Sequence, residues 1–226
     1  SEPVLKDFSL KAEPGETIAL VGESGAGKST VLNMLIGFMR PDSGEILLDG
    51  ENMRNLDFRS FRRHLAVVPQ ETILFAGTVR QNITYGSADV TEEELWQVLK
   101  AANLDEVVKN LPQGLDTNLG EHGGRLSGGQ RQRIGIARAL ILHPEFVVCD
   151  EPVSALDVSV QSQIINLLLD LKEKENLSYL FIAHDIGVVR YISDRIGVMY
   201  LGYLFEECPT EELFRNPLHP YTKTLL

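Results

Sequence analysis

The sequence is poor in cysteine and has no long apolar run. Its two cysteines, Cys149 and Cys208, match neither the spacing of a metal site nor a disulfide framework, so we expect inert thiols in a reducing compartment. No stretch approaches the ~18 uninterrupted apolar residues of a membrane-spanning helix, and the first residues lack the layout of a signal peptide. We therefore expect a cytoplasmic protein without a membrane span or a visible export signal.

Basic residues are also scarce. Lysine and arginine together number 21 against 32 acidic residues, which gives a net charge of −11. Because affinity for nucleic acid comes largely from neutralising its phosphates, this charge argues against nucleic acid as a partner. Internal repeats and low-complexity segments are missing as well. A chain of 226 residues that is 43% hydrophobic and 23% charged is typical of one globular domain.

Short apolar runs alternate with helical patterns along much of the chain. Residues 16–21 form an apolar run before a glycine-rich loop, and residues 28–38 then carry apolar side chains at helical spacing. Residues 146–149 and 179–183 are continuous apolar runs, as expected for strands buried on both faces of a parallel sheet. Between them, the amphipathic pattern of residues 159–174 predicts a crossover helix. The pattern predicts an α/β core.

Two further segments lie around this core. Residues 44–50 form a short strand pattern closed by an Asp-Gly turn, which together with residues 4–10 predicts a small antiparallel flank. Residues 78–125 have no strand signal. They predict short helices instead, among them residues 91–102, which begin with the Thr-Glu-Glu-Glu form of a capping box. This stretch is predicted to be a helical insertion.

Residues 22–30 read Gly-Glu-Ser-Gly-Ala-Gly-Lys-Ser-Thr and follow the first predicted strand. In such a phosphate loop (residues 22–29), glycines let backbone amides converge on phosphate oxygens, Lys28 adds a cation at the β and γ phosphates, and Ser29 can bind Mg²⁺. The next helix points its positive end at the same anion. The alternative is a glycine turn that binds nothing. The predicted nucleotide contacts are Gly22, Glu23, Ser24, Gly25, Ala26, Gly27, Lys28, Ser29 and Thr30.

Two acidic residues, Asp150 and Glu151, follow the apolar run 146–149. Nucleotide hydrolysis needs magnesium held by a carboxylate, a group that activates water, and positive charge for the transition state. Asp150 is the predicted magnesium ligand, and Glu151 is the predicted general base. The alternative is that the two acidic residues simply begin a solvated loop. The presence of a phosphate loop in the same chain makes this alternative less favoured.

Residues 126–130, Leu-Ser-Gly-Gly-Gln, resemble the signature motif of ATP-binding cassette (ABC) transporters. Three further features are similar to that family: Gln70 to its Q-loop, residues 154–157 (Ser-Ala-Leu-Asp) to its D-loop, and His184 after a strand to its switch histidine. The resemblance covers essentially the whole chain, and its motifs occur in the family's order. It implies a P-loop NTPase fold, with a RecA-like parallel-sheet core, a small antiparallel β flank and an inserted helical subdomain.

The resemblance also implies how the domain is divided. It implies one ABC ATPase domain over residues 1–226, in which residues 1–72 and 137–226 form the core with its flank. Residues 73–136 form the helical subdomain.

The same resemblance implies a composite nucleotide site in a head-to-tail dimer, formed on ATP binding with a second copy or with a partner ABC ATPase. ATP and Mg²⁺ bound to one copy would be covered by Ser127, Gly128 and Gly129 of the other, at the start of a helix. In the family, Asp157 links the two sites and transmembrane permease subunits are partners. The implied catalytic set is Lys28, Gln70, Glu151 and His184, and the implied metal set is Ser29, Gln70 and Asp150.

One departure from the family concerns the adenine base. Family members usually place an aromatic residue shortly before the first strand, where it stacks on adenine. The sequence starts at Ser1, and Phe8 is the nearest aromatic residue, in a pattern more typical of the core. We therefore expect weaker adenine binding, by roughly 1–3 kcal/mol, and we expect the chain to be part of a longer protein.

A second departure is that the two parts of the chain resemble different branches of the family. Residues 78–86 and 119–124 are similar to exporters, including the loop that touches their coupling helices. Residues 151–159, 182–185 and 216–222 are similar to the ATPase subunits of oligopeptide and dipeptide importers. Recombination within residues 130–142 is one hypothesis, and a natural blend of the two patterns is the alternative.

Three interpretations of function remain open. The first is a transporter ATPase that dimerises and couples to a permease. The second is a folded cassette domain that binds ATP with little turnover and no coupling. The third is a cassette ATPase of DNA repair or of ribosomes, which the acidic charge and the missing coiled-coil insertions disfavour.

Overall fold

A computed structural model describes residues 3–87, 89–120, 124 and 126–226. One sheet of six strands has the order β4-β5-β6-β1-β7-β8, and a separate pair, β2 and β3, is antiparallel. Neighbours in the large sheet are parallel except β7 and β8. The strands are β1 Thr17–Val21, β2 Leu47–Leu48, β3 Glu51–Asn52, β4 Leu65–Val68, β5 Phe146–Asp150, β6 Ser178–Ala183, β7 Arg195–Tyr200 and β8 Tyr203–Pro209.

Helices connect these strands and cover the sheet. The described helices are α1 Lys28–Leu35, α2 Phe58–His64, α3 Val79–Ile83, α4 Glu92–Ala101, α5 Asp105–Lys109, α6 Gly128–Leu140, α7 Val158–Glu175, α8 Ile186–Ile192, α9 Thr210–Arg215 and α10 Pro220–Leu225. Short 3₁₀ turns occur at Met53–Asn55 and Gly114–Asp116. Within the described part of the chain, none of these helices has the length and apolar content needed to cross a bilayer.

The central strand β1 is buried along its whole length. Because side chains alternate along a strand, Ile18 and Leu20 enter one apolar cluster, whereas Ala19 and Val21 enter the other. Burial of a side chain of leucine size stabilises the fold by roughly 1.5–3 kcal/mol. This two-sided burial confirms the predicted α/β core with its largely parallel sheet.

The crossover between β5 and β6 is the predicted helix. Residues 159–174 were expected to be helical, and α7 spans Val158–Glu175. Asp157 caps its first turn by accepting a hydrogen bond from the Val160 amide, and Asn176 ends the helix in the left-handed conformation, with φ 53°. Asparagine adopts this conformation more easily than most residues.

Short helices occupy the segment that the sequence marks as an insertion. Thr91 and Glu94 form the predicted capping box at the start of α4, and Thr78 and Gln81 form another at the start of α3. The domain boundaries at residues 73 and 136 stay a prediction. The exporter-like loop 119–124 lies partly outside the described residues.

The antiparallel flank is smaller than predicted. Its two strands, β2 and β3, pair across the Asp49-Gly50 turn, but the structure has no strand within residues 4–10. Asp7 has φ 46°, which interrupts an extended backbone. Phe8 packs against the cluster that contains Ile18, as expected of a core residue.

Candidate active site

The phosphate loop lies between β1 and α1, and two of its glycines are required by close contacts. Gly22 has φ 149°, and an added Cβ would lie 2.1 Å from the carbonyl oxygen of Met199. Gly27 has φ 107°, and an added Cβ would lie 2.7 Å from the Leu5 side chain. Gly27 is also the N-cap of α1. The loop therefore brings its backbone close to the sheet and faces the positive end of a helix.

Lys28, the first residue of α1, is buried. Its Nζ donates to the carbonyl oxygens of Gly22, at 2.5 Å, and of Glu23, at 3.0 Å. Burial lowers the pKa of Lys28, while the negative charges of Glu151 and Asp150 oppose that shift. The two bonds to carbonyl oxygens use two of the three N–H donors of the ammonium group, and the third is left for a phosphate bound in the loop.

Asp150 is the last residue of β5, at the sheet edge where β1 also ends. β6 lies between these two strands, with Ile182 paired to Asp150 and Ala183 paired to Val21. Burial and the adjacent Glu151 raise the pKa of Asp150, while Lys28 opposes the shift. A divalent cation at this edge would offset the repulsion between the two carboxylates.

The side chains near the phosphate loop can bind magnesium only if groups other than carboxylates complete its coordination. Among the described residues, no cluster of three or more His, Cys, Asp or Glu side chains is placed to hold a metal. Mg²⁺ commonly takes one or two carboxylates and completes its coordination with phosphate oxygens and water. Asp150 with the exposed Ser29 fits that pattern.

Glu151 is surrounded by three polar side chains. Its Oε2 lies 3.0 Å from His184 Nδ1 and 3.5 Å from Gln70 Nε2. Gln70 also donates to Ser154 Oγ at 3.1 Å, and Ser154 Oγ donates to the Glu151 carbonyl at 3.0 Å. The structure therefore brings together Gln70, Glu151 and His184, while their catalytic roles stay a prediction. This role of Ser154 does not follow from the sequence, in which Ser154 is only the first residue of the segment similar to the D-loop.

The backbone of Glu151 is held in an unusual conformation. Its φ is 47°, which costs of order 1–3 kcal/mol for a residue with a side chain and often occurs at functional sites. Its amide donates to the carbonyl of Ile182 at 2.9 Å. This hydrogen bond to β6 holds the carboxylate beside the phosphate loop.

Gln132 of α6 fastens the segment that carries Gln70. Its side chain is buried, accepts a hydrogen bond from Thr72 Oγ1 at 3.0 Å and donates to the Pro69 carbonyl at 3.0 Å. An added Cβ on Gly135 would lie 2.2 Å from Thr72 Oγ1, so the two elements are in close contact. Sequence reasoning missed Gln132, since nothing local indicates its partners.

The signature residues form a separate group. Ser127 is the N-cap of α6 and shares a capping box with Gln130, and an added Cβ on Gly129 would lie 2.6 Å from Val160 of α7. Asp157 caps that same helix. Among the hydrogen bonds that the structure describes, those of Ser127 stay within α6. The starts of α6 and α7 are therefore in close contact with each other.

Comparison with known proteins decides the family. A sequence model described as ABC transporter matches residues 5–154. The chain belongs to the ABC transporter family. Two relatives extend the match beyond residue 154. The oligopeptide transport ATP-binding protein OppF of Bacillus subtilis (strain 168) is 46% identical over 231 residues, which cover 97% of this chain and 74% of that protein. The dipeptide transport ATP-binding protein DppF of Lactococcus lactis subsp. cremoris (strain MG1363) is 43% identical, with 98% and 73% covered.

A solved structure is also similar to this ABC ATPase. It is a bacterial Atm1-family ABC exporter with ATP bound, with a TM-score of 0.88 and 34% sequence identity. The match covers 97% of this chain and 38% of the exporter chain. Peptide-transport proteins and an exporter both align with nearly the whole chain, so the recombination hypothesis stays a hypothesis.

The activity follows from the family to which the chain belongs. The chain is an ABC transporter ATP-binding domain that binds and hydrolyses ATP.

Proposed function

We propose that this ABC ATPase acts as a head-to-tail dimer in which each ATP lies between two copies. The observation that supports this proposal is that two groups suited to bind anions share no described hydrogen bond within one chain. Lys28, Asp150 and Glu151 interact electrostatically beside the phosphate loop. Ser127 instead caps α6, where its hydroxyl and the amides of Gly128 and Gly129 suit a second anion contact. One copy would therefore supply only part of the site.

The residues of one copy have defined roles in this proposal. Lys28 binds the β and γ phosphates through the ammonium N–H that its two carbonyl partners leave free. Ser29, Asp150 and Gln70 would hold Mg²⁺, which would supply charge neutralisation on the phosphates. Glu151 accepts the proton of the attacking water. His184 contacts the γ-phosphate, and its 3.0 Å contact with Glu151 orients that carboxylate.

A complementation experiment tests the shared site. Lys28→Ala inactivates a phosphate loop, and Ser127→Arg inactivates the surface that covers the loop of the other copy. Each variant alone should be inactive. In a mixed dimer, one site combines the defective loop of one copy with the defective Ser127 surface of the other. The second site then combines the intact loop with the intact Ser127 surface. We expect the mixture to release phosphate from Mg-ATP faster than the sum of the separate variants. A rate equal to that sum would contradict the composite arrangement.

We also propose that the ATPase drives peptide transport together with a membrane permease, at the cytoplasmic face of the membrane. The names of the relatives support the substrate class. An exposed apolar surface supports the partner: Ile73, Phe75 and Tyr85 are 66%, 41% and 59% exposed. The Phe75 and Tyr85 rings stack with centroids 4.4 Å apart, and the Arg138 guanidinium lies 5.0 Å from the Phe75 ring centroid. Such an exposed apolar patch suits a protein partner.

Peptide uptake in cells tests this second proposal. In Bacillus subtilis lacking its oligopeptide transport ATP-binding protein OppF, the chain should restore uptake of a radiolabelled tripeptide. The Glu151→Gln variant, expressed at the same level, should not, because transport requires ATP hydrolysis. Equal uptake by cells with the chain, with the variant and with neither would count against peptide transport.

A further inference from the structure

The segment that leads into α10 is fastened to β8 by one carboxylate. Glu206 is nearly buried. It accepts hydrogen bonds from the amides of Leu218, at 2.8 Å, and His219, at 3.0 Å, and from Thr222 Oγ1, at 2.6 Å. Burial favours a higher pKa for Glu206, but these hydrogen bonds lower its pKa overall. Three donors on one charged acceptor hold residues 218–222 in one position.

From this helix, Tyr221 reaches the phosphate loop. Its hydroxyl oxygen accepts a hydrogen bond from the Glu23 amide at 2.9 Å. Its ring packs on Tyr200 of β7, with centroids 4.5 Å apart and planes 35° apart. Two sets of contacts therefore position the hydroxyl: the ring contact with β7, and the three hydrogen bonds that Glu206 accepts from residues 218–222.

The peptide group that Tyr221 holds is also the one that holds Lys28. The Glu23 N–H and the Gly22 carbonyl belong to the same peptide group, and that carbonyl accepts a hydrogen bond from Lys28 Nζ at 2.5 Å. A peptide group is planar and trans, so its N–H and C=O point in opposite directions. Orienting the N–H toward Tyr221 therefore orients the carbonyl toward Lys28.

We infer that Tyr221 is a positioning residue for the phosphate loop, through which the segment containing α10 contributes to nucleotide affinity. The inference rests on the proposed Mg-ATP site. Tyr221 acts through the Gly22–Glu23 peptide. Without its hydroxyl, that peptide keeps only the bond to Lys28 and is less ordered, so ATP binding must order it at a cost in conformational entropy.

The variant Tyr221→Phe tests this inference because it keeps the ring and removes only the hydroxyl. We expect hydrogen exchange of the Glu23 amide, followed by NMR, to become faster. The dissociation constant of Mg-ATP should rise by about fivefold, the effect of one lost hydrogen bond. Turnover at saturating Mg-ATP should change by less than about twofold, because the reacting groups are untouched. Tyr203→Phe is the matched control, since Tyr203 packs in the same aromatic cluster against Phe205, and it should leave all three quantities unchanged.

A second variant tests the hydrogen bonds that Glu206 accepts from residues 218–222. Glu206→Gln should also weaken Mg-ATP binding, and combining it with Tyr221→Phe should add little, because both changes act through the same contact. The inference is overturned if Tyr221→Phe matches Tyr203→Phe in Glu23 exchange and in Mg-ATP affinity. That result would leave the proposed function intact. Failure of the unmutated chain to bind Mg-ATP would instead overturn the proposed site.

Discussion

Glu151→Gln is expected to slow phosphate release from ATP by at least about 100-fold, the lower end of what a general base contributes. Glutamine keeps the size of the side chain and can still contact His184 and Gln70, but it does not accept a proton from water. Mg-ATP binding should persist, since Lys28 and the phosphate loop are unchanged. The measurement is steady-state phosphate release at saturating Mg-ATP, with equilibrium binding measured in parallel.

The matched control is Glu173→Gln, which makes the same chemical change at an exposed position of α7. It should leave phosphate release unchanged. If Glu151→Gln and Glu173→Gln hydrolyse ATP at the same rate, Glu151 is not the base. The assignment of the attacking water to its carboxylate then fails.

Lys28→Ala is expected to weaken Mg-ATP binding by about 100-fold or more, because it removes charge-assisted hydrogen bonds to two phosphates. The Gly22 and Glu23 carbonyls, which bond Lys28 Nζ, would then lose their donor and add negative potential to the loop. Titration with a fluorescent ATP analogue measures the loss directly.

Lys100→Ala is the control for this change, because Lys100 is exposed on α4 and carries the same charge. It should bind the analogue as the unmutated chain does. An unchanged dissociation constant for Lys28→Ala would refute the placement of the phosphates on this loop.

The phosphate loop and the buried strands could be predicted because their signals are local. Glycine spacing, the adjacent Lys28 and the apolar run of β1 occur within one short segment. The acidic pair after β5 could be placed near the loop because parallel strands end at the same edge of a sheet. Local patterns thus predict which elements form and where the site lies.

Contacts between distant segments could not be predicted in this way. Tyr221 and Glu23 are 198 positions apart, and their contact depends on how β8 and Glu206 position α10. Gln132 likewise meets Thr72 only through the packing of α6. The predicted strand at residues 4–10 was wrong because Asp7 adopts a backbone conformation that strand periodicity does not report.

Steady-state phosphate release from Mg-ATP tests the central claim most directly, with the unmutated chain, Glu151→Gln and Lys28→Ala measured side by side. The predicted result is turnover by the unmutated chain and release near background for both variants, with ATP still bound by Glu151→Gln alone of the two. Equal rates for all three proteins would contradict the assignment of ATP hydrolysis to this site.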